Sequence, residues 1–444
     1  IKGHAVKDQM SVSVSPVMPI VKRSKAESLG WTKKPFTNAD FYEAVTAGKL
    51  KFGMTSASQS FSGQAAYLGM LSSLSGNPEV LQASDVEAKG IPERTAAILK
   101  KVARSSASSG TLKTFMVANF DSYDAMLNYE GLAFEANREL AAAGKKDSFC
   151  ALMPVDGVVV ADHPIGYVDK GDAKKAAFYK ELTAYLKSPE FRQILKDSGR
   201  RAEMGLLASS QKSAYDPCWD TDRPIKQVTM PTSEVVAKAV DLYQTALRKP
   251  SLTIYVADFS GSMGNSSGEK ELKSAMRAVF DPAEARKWNL QPTAKDVNVF
   301  IPFSHAVWGS IEVRGNDPKA YAEAIARIER LKADGGTEMY LGLNAALAYL
   351  AKVPNLSDYS VSIVLMTDGV SKDDGAGAAL AGLAKAFKER GVAAYSILFG
   401  DADQTQLVNI ASHQVGGNAE LAKAYVCDGR KDLVGCFRKV RANN

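Results

Sequence analysis

The sequence predicts two unlike α/β regions, of which the C-terminal one is a doubly wound, mostly parallel sheet. Two observations predict that sheet. Apolar runs of strand length alternate with helices of regular apolar periodicity, and several of these runs end directly at polar loops. Parallel strands give this pattern because helices bury both faces of the sheet. The N-terminal region also alternates strands with helices, but less regularly.

Length and composition fit two or three globular domains. The 444 residues include 45% hydrophobic and 23% charged residues, which excludes a disordered or collagen-like chain. The net charge of +6 is a mild excess with no clustered basic stripe, so binding to nucleic acid is disfavoured. The longest apolar runs are far shorter than the ~18 residues of a transmembrane helix. We see no signal peptide, and we expect no transmembrane segment in this chain.

The boundary between the two regions is predicted from proline and serine punctuation. We expect residues 1–208 to form the N-terminal region, 209–249 a linker that contains a helix, and 250–444 the C-terminal domain. The linker contains three X-Pro steps and a Ser-rich start, which interrupt regular structure. Apolar residues recur at helical spacing over 233–248, and Lys249-Pro250 ends that helix.

The elements of both regions follow from their patterns. In the C-terminal domain we predict strands at 252–257, 297–302, 360–366 and 392–399, and helices at 269–280, 318–331, 339–351, 376–390, 405–413 and 432–440. In the N-terminal region we predict strands at 50–54, 112–118 and 151–160, the last broken at Pro154. Helices are predicted at 64–73, 174–186 and 189–198, with a further helix beginning within 122–128.

Oxygen-bearing side chains occur in three segments of the C-terminal domain. Two of these segments directly follow predicted strands, and the third opens a helix. The carboxyl ends of parallel strands meet at one edge of a sheet. We therefore expect five side chains to converge there: Asp258, Ser260, Ser262, Thr337 and Asp368.

Three hydroxyls and two carboxylates form an all-oxygen set of the kind that hard divalent cations prefer. Mg²⁺ is the first candidate, followed by Mn²⁺ or Ca²⁺. If the hydroxyls bind directly and the carboxylates act partly through water, the cation keeps positive charge. It would then attract a carboxylate from a partner protein.

This pattern resembles the von Willebrand factor A (VWA) domain and its metal-ion-dependent adhesion site. The family motif is Asp-x-Ser-x-Ser, then a distant Thr and a distant Asp, and all five positions are matched. The resemblance covers about 250–440 and includes the Gly-Gly-Thr turn and the Met-Thr-Asp-Gly strand end. It implies a non-enzymatic binding or adhesion protein whose bound cation captures an acidic group of a partner.

Enzymatic interpretations of the same residues find less support. Gly261-Ser262-Met263-Gly264 is not a Gly-x-Ser-x-Gly nucleophile elbow, and the sequence has no Gly-Lys-Ser/Thr phosphate loop. The four histidines form no base–nucleophile pattern. Metal-dependent hydrolysis would need a general base. Glu338 is the one such group near the motif, and we expect it to cap or begin its helix.

A Ser-rich loop, Thr55–Gly63, lies between a predicted strand and a predicted helix. Hydroxyls beside a helix start can hold a small anion or polar solute. The alternative is a Ser-rich helix cap without a ligand. The candidate ligand-binding residues in this region are Thr55, Ser58, Ser60, Ser62 and Tyr129.

The N-terminal region resembles periplasmic type II solute-binding proteins over about 10–205. The segments that carry this resemblance are 13–17, 26–31, 52–63, 129–131, 153–168 and 179–199. It implies that Ser60 contacts a ligand and that Ser62 lies nearby, while Ala57 stands where the family usually has proline. The family's first crossover matches the very start of this chain, so we expect much of the first lobe to be absent from it. The alternative function is thus a receptor for a small anion or polar solute.

Four cysteines bear on the cellular compartment. Cys427 and Cys436 are close together in the sequence, and Cys150 and Cys218 lie in the first half. An even number predicts two disulfides in an oxidising compartment, and the alternative is four unpaired thiols in the cytosol. No CxxC spacing supports a zinc site. The chain resembles exported bacterial proteins that join a solute-binding-like region to a VWA domain, which implies a periplasmic or cell-surface location.

Overall fold

The computed structural model describes residues 5–202, 225–371, 375–399 and 404–442. The chain divides into two compact units. The first contains residues 1–101 and 108–240, and the second contains residues 102–107 and 241–444. Within the described ranges, no helix combines the length and the apolar character needed to cross a bilayer.

The strands are, in chain order, β1 (Val6–Lys22), β2 (Phe52–Thr55), β3 (Val102–Ser106), β4 (Ala125–Tyr129), β5 (Phe149–Ala151), β6 (Val159–Val168), β7 (Ser251–Asp258), β8 (Val297–Phe303), β9 (Ile311–Arg314), β10 (Ser360–Thr367), β11 (Ala393–Leu398) and β12 (Val426–Asp428). In the first unit, the long strand β1 pairs antiparallel with β4, β5 and β6, and β2 runs parallel to β4. The carboxyl ends of β2 and β4 therefore meet at one edge of this mixed sheet.

The helices of the N-terminal half are Arg23–Ser28, Asn38–Thr46, Phe61–Leu74, Ala83–Val86, Ile91–Leu99, Ser109–Ala118, Glu130–Ala142, Ala173–Leu186 and Pro189–Asp197, with a 3-10 turn at Phe120–Ser122. Ser233–Leu242 is an α-helix that continues as a π-helical turn, Tyr243–Leu247. The helix predicted over 233–248 is thus present, with a wider last turn.

Two elements predicted in the N-terminal region are wrong, and a third, the strand at 151–160, is present only at its ends, in β5 and β6. The run 112–118, predicted as a strand, lies inside the helix Ser109–Ala118, because the Ser108 side chain accepts a hydrogen bond from the backbone N–H of Thr111 and caps that helix. The predicted helix start within 122–128 is instead strand β4, which pairs with β1 and is buried. The second outcome depends on pairing with the distant strand β1, which local periodicity does not report.

The C-terminal sheet is doubly wound, as predicted. Its order is β12-β11-β10-β7-β8-β9. All neighbouring pairs are parallel except β8 and β9, which form an antiparallel edge. β7 is buried along its whole length, and so is β8. The short strands β9 and β12 were not predicted.

Helices cover both faces of this sheet. The α-helices are Gly261–Asn265, Gly268–Phe280, Pro282–Lys287, Pro318–Arg330, Met339–Ala351, Ala376–Arg390, Gln404–Ser412, Ala419–Ala422 and Gly429–Ala442, with 3-10 turns at Leu356–Asp358, His413–Val415 and Lys423–Tyr425. One core contains Tyr255, Phe300 and Met366, and the other contains Ile254, Val299 and Leu365. Alternate residues of the same strands thus point into opposite cores, which explains the near-continuous apolar runs.

Candidate metal site at the edge of the C-terminal sheet

Strand β7 ends at Asp258, and the loop that follows brings two serines back toward that carboxylate. The backbone N–H of Ser260 donates to Asp258 Oδ1 at 2.7 Å. The hydroxyls of Ser260 and Ser262 lie 3.0 Å apart. Alternate residues of one tight loop therefore present oxygens on the same side, as the Asp-x-Ser-x-Ser spacing predicts.

Thr337 reaches the same edge through a loop that is hydrogen-bonded to the first one. Asp334 N donates to Phe259 O at 2.8 Å, and Gly261 N donates to Gly335 O at 2.9 Å. A Cβ built on Gly369 would lie 3.1 Å from Thr337 Oγ1 and 3.7 Å from Ser262 Oγ. The Thr337 and Ser262 hydroxyls therefore both lie against Gly369.

The third segment follows β10, the immediate neighbour of β7. Thr367 is the last residue of β10, and its hydroxyl donates to Asp258 Oδ2 at 2.5 Å. The next residue, Asp368, accepts from Ser262 Oγ at 2.8 Å and from Ser266 Oγ at 3.1 Å. The parallel register of the two strands brings the two carboxylates together. The structure thus assembles the residues that the sequence predicted, and it adds Thr367 and Ser266.

Two carboxylates lie together at this edge, and no Lys, Arg or His of the described chain forms an ion pair with either of them. Asp258 is fully buried and Asp368 is 9% exposed. Burial raises the pKa of the Asp258 carboxyl. The nearby charge of Asp368 also raises it, while hydrogen bonds from Thr367 and Ser260 oppose the rise. Negative charge is therefore concentrated here without a compensating side chain.

The donor set suits a hard cation. Among the described residues there is no group of three or more His, Cys, Asp or Glu side chains that could hold a metal ion. A cation at this edge would therefore depend on hydroxyl oxygens together with the two carboxylates. Such a set fits Mg²⁺ or a similar ion far better than it fits a soft metal.

Sequence reasoning missed three polar side chains around the site. Thr367 belongs to the Met-Thr-Asp-Gly strand end, but the spacing of residues in the sequence does not predict its hydrogen bond to Asp258. Ser371 donates to Thr337 O at 3.1 Å and accepts from Met339 N at 3.0 Å, which ties the Asp368 segment to the Thr337 segment. Ser266 carried no signal beyond a Ser-rich composition.

Glu338 immediately precedes the helix Met339–Ala351. Its backbone N–H donates to Ser304 O at 3.0 Å, and its side chain makes no capping hydrogen bond. Glu338 therefore occupies the cap position at the start of the helix, as expected, but its side chain does not cap the helix.

In the N-terminal unit, the structure links three of the predicted ligand residues. Thr55 Oγ1 lies 2.8 Å from Ser62 Oγ, which in turn lies 3.1 Å from Ser60 Oγ. Ser58 contacts Ser56 instead, at 3.2 Å. Tyr129 ends β4, and its ring lies edge-on to that of His163 at 6.2 Å. The loop thus contains a chain of hydroxyls at the start of the helix Phe61–Leu74.

One of the expected disulfides is present in the described residues. Cys427 in β12 is bonded to Cys436 in the helix Gly429–Ala442. Cys150 lies fully buried in β5, and Cys218 lies outside the described residues.

Two family models match the chain. Residues 3–201 match the model of bacterial extracellular solute-binding proteins, and residues 254–423 match the model of the von Willebrand factor type A domain. The chain therefore joins an N-terminal region that is similar to solute-binding proteins to a C-terminal region with the VWA fold, as the sequence motifs predicted. No curated protein matches the chain.

Solved structures with local similarity include a von Willebrand factor type A protein from Catenulispora acidiphila (20% identity, 45% of this chain, 43% of that chain, TM-score 0.34). Another is proximal thread matrix protein 1 from the mussel byssus with a zinc-occupied MIDAS motif (16% identity, 47% of this chain, 52% of that chain, TM-score 0.33). A third is the pilus adhesin SpaC from Lactobacillus rhamnosus GG (16% identity, 44% of this chain, 31% of that chain, TM-score 0.32). The chain thus spans about half, or less, of the length of these structures.

Proposed function

We propose that the VWA domain binds a divalent cation through Asp258, Ser260, Ser262, Thr337 and Asp368, and that this cation captures a carboxylate of a partner protein. One observation carries the proposal: two adjacent carboxylates, one fully buried, accept hydrogen bonds from hydroxyls and have no cationic side chain beside them. Bringing negative charges together at a buried strand end is costly unless a cation joins them.

The oxygens of three proposed ligands lie close enough together to share one cation. Ser260 Oγ and Ser262 Oγ are 3.0 Å apart, and Ser262 Oγ and Asp368 Oδ1 are 2.8 Å apart. These separations are ordinary hydrogen-bond lengths, so the choice of Mg²⁺ as the first candidate rests on the all-oxygen donor set. Mn²⁺ would fit nearly as well, whereas Ca²⁺ prefers longer bonds and a wider cage.

A partner carboxylate follows from the neutral character of the hydroxyl ligands. The three hydroxyls contribute no formal charge, and Asp258 already accepts hydrogen bonds on both of its oxygens. Carboxylates that act partly through water leave the cation with residual positive charge, which an acidic side chain from another protein would neutralise. Capture of a partner protein therefore requires both the bound cation and an acidic group on the partner.

We propose a binding role without catalysis. Glu338 uses its backbone N–H to join the Ser304 carbonyl. The His305 ring packs against Gly335, with its Nδ1 3.1 Å from the Ser304 hydroxyl. Neither contact points to a base aimed at a metal-bound water. We accordingly assign the five-residue site to recognition.

Metal titration of chelator-treated protein tests the cation site. We expect Mg²⁺ and Mn²⁺ to bind with one-to-one stoichiometry by calorimetry and Asp258→Ala to abolish that binding. Glu338→Gln is the matched control, because it changes a neighbouring carboxylate outside the proposed ligand set and should bind like the natural chain. Equal affinities in all three proteins would refute the site.

Water-proton relaxation of the Mn²⁺-loaded protein tests carboxylate capture. Acetate should displace a metal-bound water and lower the relaxation enhancement, whereas acetamide, which is similar in shape but uncharged, should not. The same response to both additives would contradict carboxylate recognition.

We further propose that the protein works outside the cytoplasm. The solute-binding family match and the Cys427–Cys436 disulfide support this location, because disulfides persist in oxidising compartments. We would treat unreduced protein from cells with a thiol label and analyse the 427–436 segment by mass spectrometry. Neither cysteine should carry the label, because both sulfurs are in the disulfide. Quantitative labelling of both cysteines would contradict export.

A second candidate function is reception of a small anion or polar solute by the N-terminal domain. The linked hydroxyls of Thr55, Ser62 and Ser60 favour it, because hydroxyls beside a helix start can donate to an oxyanion. Phosphate or sulfate should raise the unfolding temperature, and Ser60→Ala should remove that rise. Ser75→Ala, at the other end of the same helix, should keep it. A rise that survives Ser60→Ala would be a general salt effect.

A further inference from the structure

Asp368 has two hydroxyl partners, of which only one belongs to the five-residue motif. Ser262 donates to Oδ1 at 2.8 Å, and Ser266 donates to Oδ2 at 3.1 Å. Both oxygens of this carboxylate are therefore held from the loop that follows β7. The contact from Ser266 is an additional restraint on a predicted metal ligand.

The Ser266 hydroxyl is itself fixed in direction. Its oxygen accepts from the backbone N–H of Gly268 at 3.1 Å, and its own backbone N–H donates to Ser262 O at 3.0 Å. A Cβ on Gly268 would lie 3.0 Å from Ser266 Oγ and would overlap Met263 Sδ. Glycine at this position therefore allows the approach. The Ser266 hydroxyl has two acceptors within reach, Asp368 Oδ2 at 3.1 Å and Met263 O at 3.4 Å, and the shorter contact to the charged oxygen is the stronger one.

Fixing Asp368 matters because its carboxylate can rotate about the bond to its Cβ. A cation bound by Ser260 and Ser262 would take a lone pair of Ser262 Oγ, while the Ser262 proton could remain on Asp368 Oδ1. Ser266 would then set the plane of the carboxylate through Oδ2. Hydrogen bonds to a charged group are stronger than those between neutral groups. Mutation of a residue that is hydrogen-bonded to a metal ligand commonly lowers metal affinity by about 10–100-fold.

We infer that Ser266 is a positioning residue of the cation site: it orients Asp368 without binding the cation itself. This inference rests on the proposed function, because it assumes a cation at the five-residue site. It extends the site to the C-terminal end of the short helix Gly261–Asn265.

The adjacent residue provides a matched control. Ser267 is also an exposed serine, but its hydroxyl donates to Glu271 within the next helix and not to Asp368. Ser266→Ala and Ser267→Ala therefore remove the same chemical group one residue apart. Ser266→Thr keeps the hydroxyl and serves as the conservative variant.

The experiment measures Mn²⁺ affinity of the full chain by the EPR signal of free Mn²⁺. The proteins compared are the natural chain, Ser266→Ala, Ser266→Thr, Ser267→Ala and Asp258→Ala. We expect Ser266→Ala to weaken binding about tenfold, Ser266→Thr to recover most of that loss, and Ser267→Ala to bind normally. At saturating Mn²⁺, the EPR spectrum of bound Mn²⁺ should differ in Ser266→Ala alone among the serine-to-alanine variants. Unfolding temperatures in chelator should be equal for the two alanine variants.

The outcomes separate this inference from the proposed function. If the natural chain binds Mn²⁺ and Asp258→Ala does not, normal affinity and a normal spectrum in Ser266→Ala overturn the positioning role alone. Equal loss in Ser266→Ala and Ser266→Thr also overturns it, because the hydroxyl would then be irrelevant. If the natural chain does not bind Mn²⁺, or Asp258→Ala binds equally well, the proposed function fails and the role of Ser266 fails with it.

Discussion

Gly261 and Gly335 are joined by a backbone hydrogen bond of 2.9 Å, from Gly261 N to Gly335 O, and this bond sets the two hydroxyl-bearing loops side by side. Gly261 lies between Ser260 and Ser262, and Gly335 lies two residues before Thr337. The bond between Asp334 N and Phe259 O, at 2.8 Å, holds the same pair of loops. These main-chain contacts therefore place the hydroxyl-bearing residues Ser260, Ser262 and Thr337 at one edge of the sheet.

The first prediction concerns Gly335. Its φ of +80° is a conformation that side chains disfavour, and a Cβ there would overlap the His305 ring. Gly335→Ala should displace Thr337, lower metal affinity by about tenfold or more, and lower stability by about 1 kcal/mol. Calorimetric titration and thermal unfolding measure both effects.

Gly336→Ala is the control for that substitution. Nothing lies within 4 Å of a Cβ at Gly336, and its φ is not in the left-handed region. This variant should bind metal and unfold like the natural chain. Equal behaviour of the two alanine variants would show that the Gly335 turn does not position Thr337.

The second prediction concerns the cost of keeping Asp258 charged. Burial raises the pKa of Asp258, so the folded state disfavours its carboxylate form when no cation is present. Asparagine can accept from Ser260 N and donate to Thr367 Oγ1, so Asp258→Asn keeps the local contacts without the charge. In chelator at pH 7, this variant should unfold at a higher temperature than the natural chain. Added Mg²⁺ should stabilise the natural chain and leave the variant unchanged. A lower unfolding temperature for the variant in chelator would contradict the argument.

The architecture of the C-terminal domain could be read from sequence because burial there is continuous. β7 and β10 are apolar runs that end directly at Asp258 and before Asp368, so pattern and site coincide. Short strands such as β9 were not predicted, because β9 has four residues and only two of them are buried. In the N-terminal unit, β4 was misassigned because its identity depends on pairing with the distant strand β1.

The sequence predicted which five side chains lie together at this edge, but it did not predict the residues that hold them in place. Asp-x-Ser-x-Ser, Thr and Asp have fixed positions in a recognised motif. Ser266 and Ser371 act through contacts with residues far away in the sequence, Asp368 and Thr337. No periodicity or spacing links such pairs, so only the folded arrangement shows them.

The third prediction concerns a charge cluster that stabilises the domain from the other end of the sheet. Asp296 precedes β8 and is fully buried. It accepts from Arg248 at 3.0 Å, from Arg441 at 3.3 Å and from Ser251 N at 2.7 Å. Burial alone would raise the pKa of Asp296, but Arg441 and Arg248 outweigh it and hold this pKa well below its usual range. Its contribution to stability is therefore present above pH 4 and is lost only as pH falls through the lowered pKa.

Asp296→Ala should destabilise the domain by about 3–5 kcal/mol, because it leaves two buried arginines without their shared carboxylate. Denaturant unfolding measures the loss. Mn²⁺ affinity of the folded variant should stay unchanged, because the proposed metal ligands lie at the edge of the sheet where β7 and β10 end, whereas Asp296 precedes β8 at the opposite edge. A loss below about 1 kcal/mol, or a change in metal affinity alone, would contradict a purely structural role.

The last prediction is an acid-sensitive loss of stability from His413. Its ring packs edge-on against Phe387, with 5.8 Å between ring centres, in the 3-10 turn that follows the helix Gln404–Ser412. Burial lowers the pKa of His413 to about 4, partly offset by the Ile410 backbone, from an ordinary value of 6.5. The unfolded chain therefore binds more protons than the folded chain between pH 6.5 and pH 4. Stability from the neutral ring is complete above pH 6.5, falls as pH drops toward 4, and is constant below that.

The size of this loss is at most about 3.5 kcal/mol, since each unit of pKa shift corresponds to about 1.4 kcal/mol. His413→Leu removes the titrating ring while keeping an apolar side chain against Phe387. Its unfolding free energy should consequently depend less on pH between 4 and 6.5 than that of the natural chain, when both are measured in chelator by denaturant titration. Parallel pH profiles for the natural chain and His413→Leu would show that the turn opens to water before the ring is protonated, so that burial of His413 does not set the acid limit of the fold.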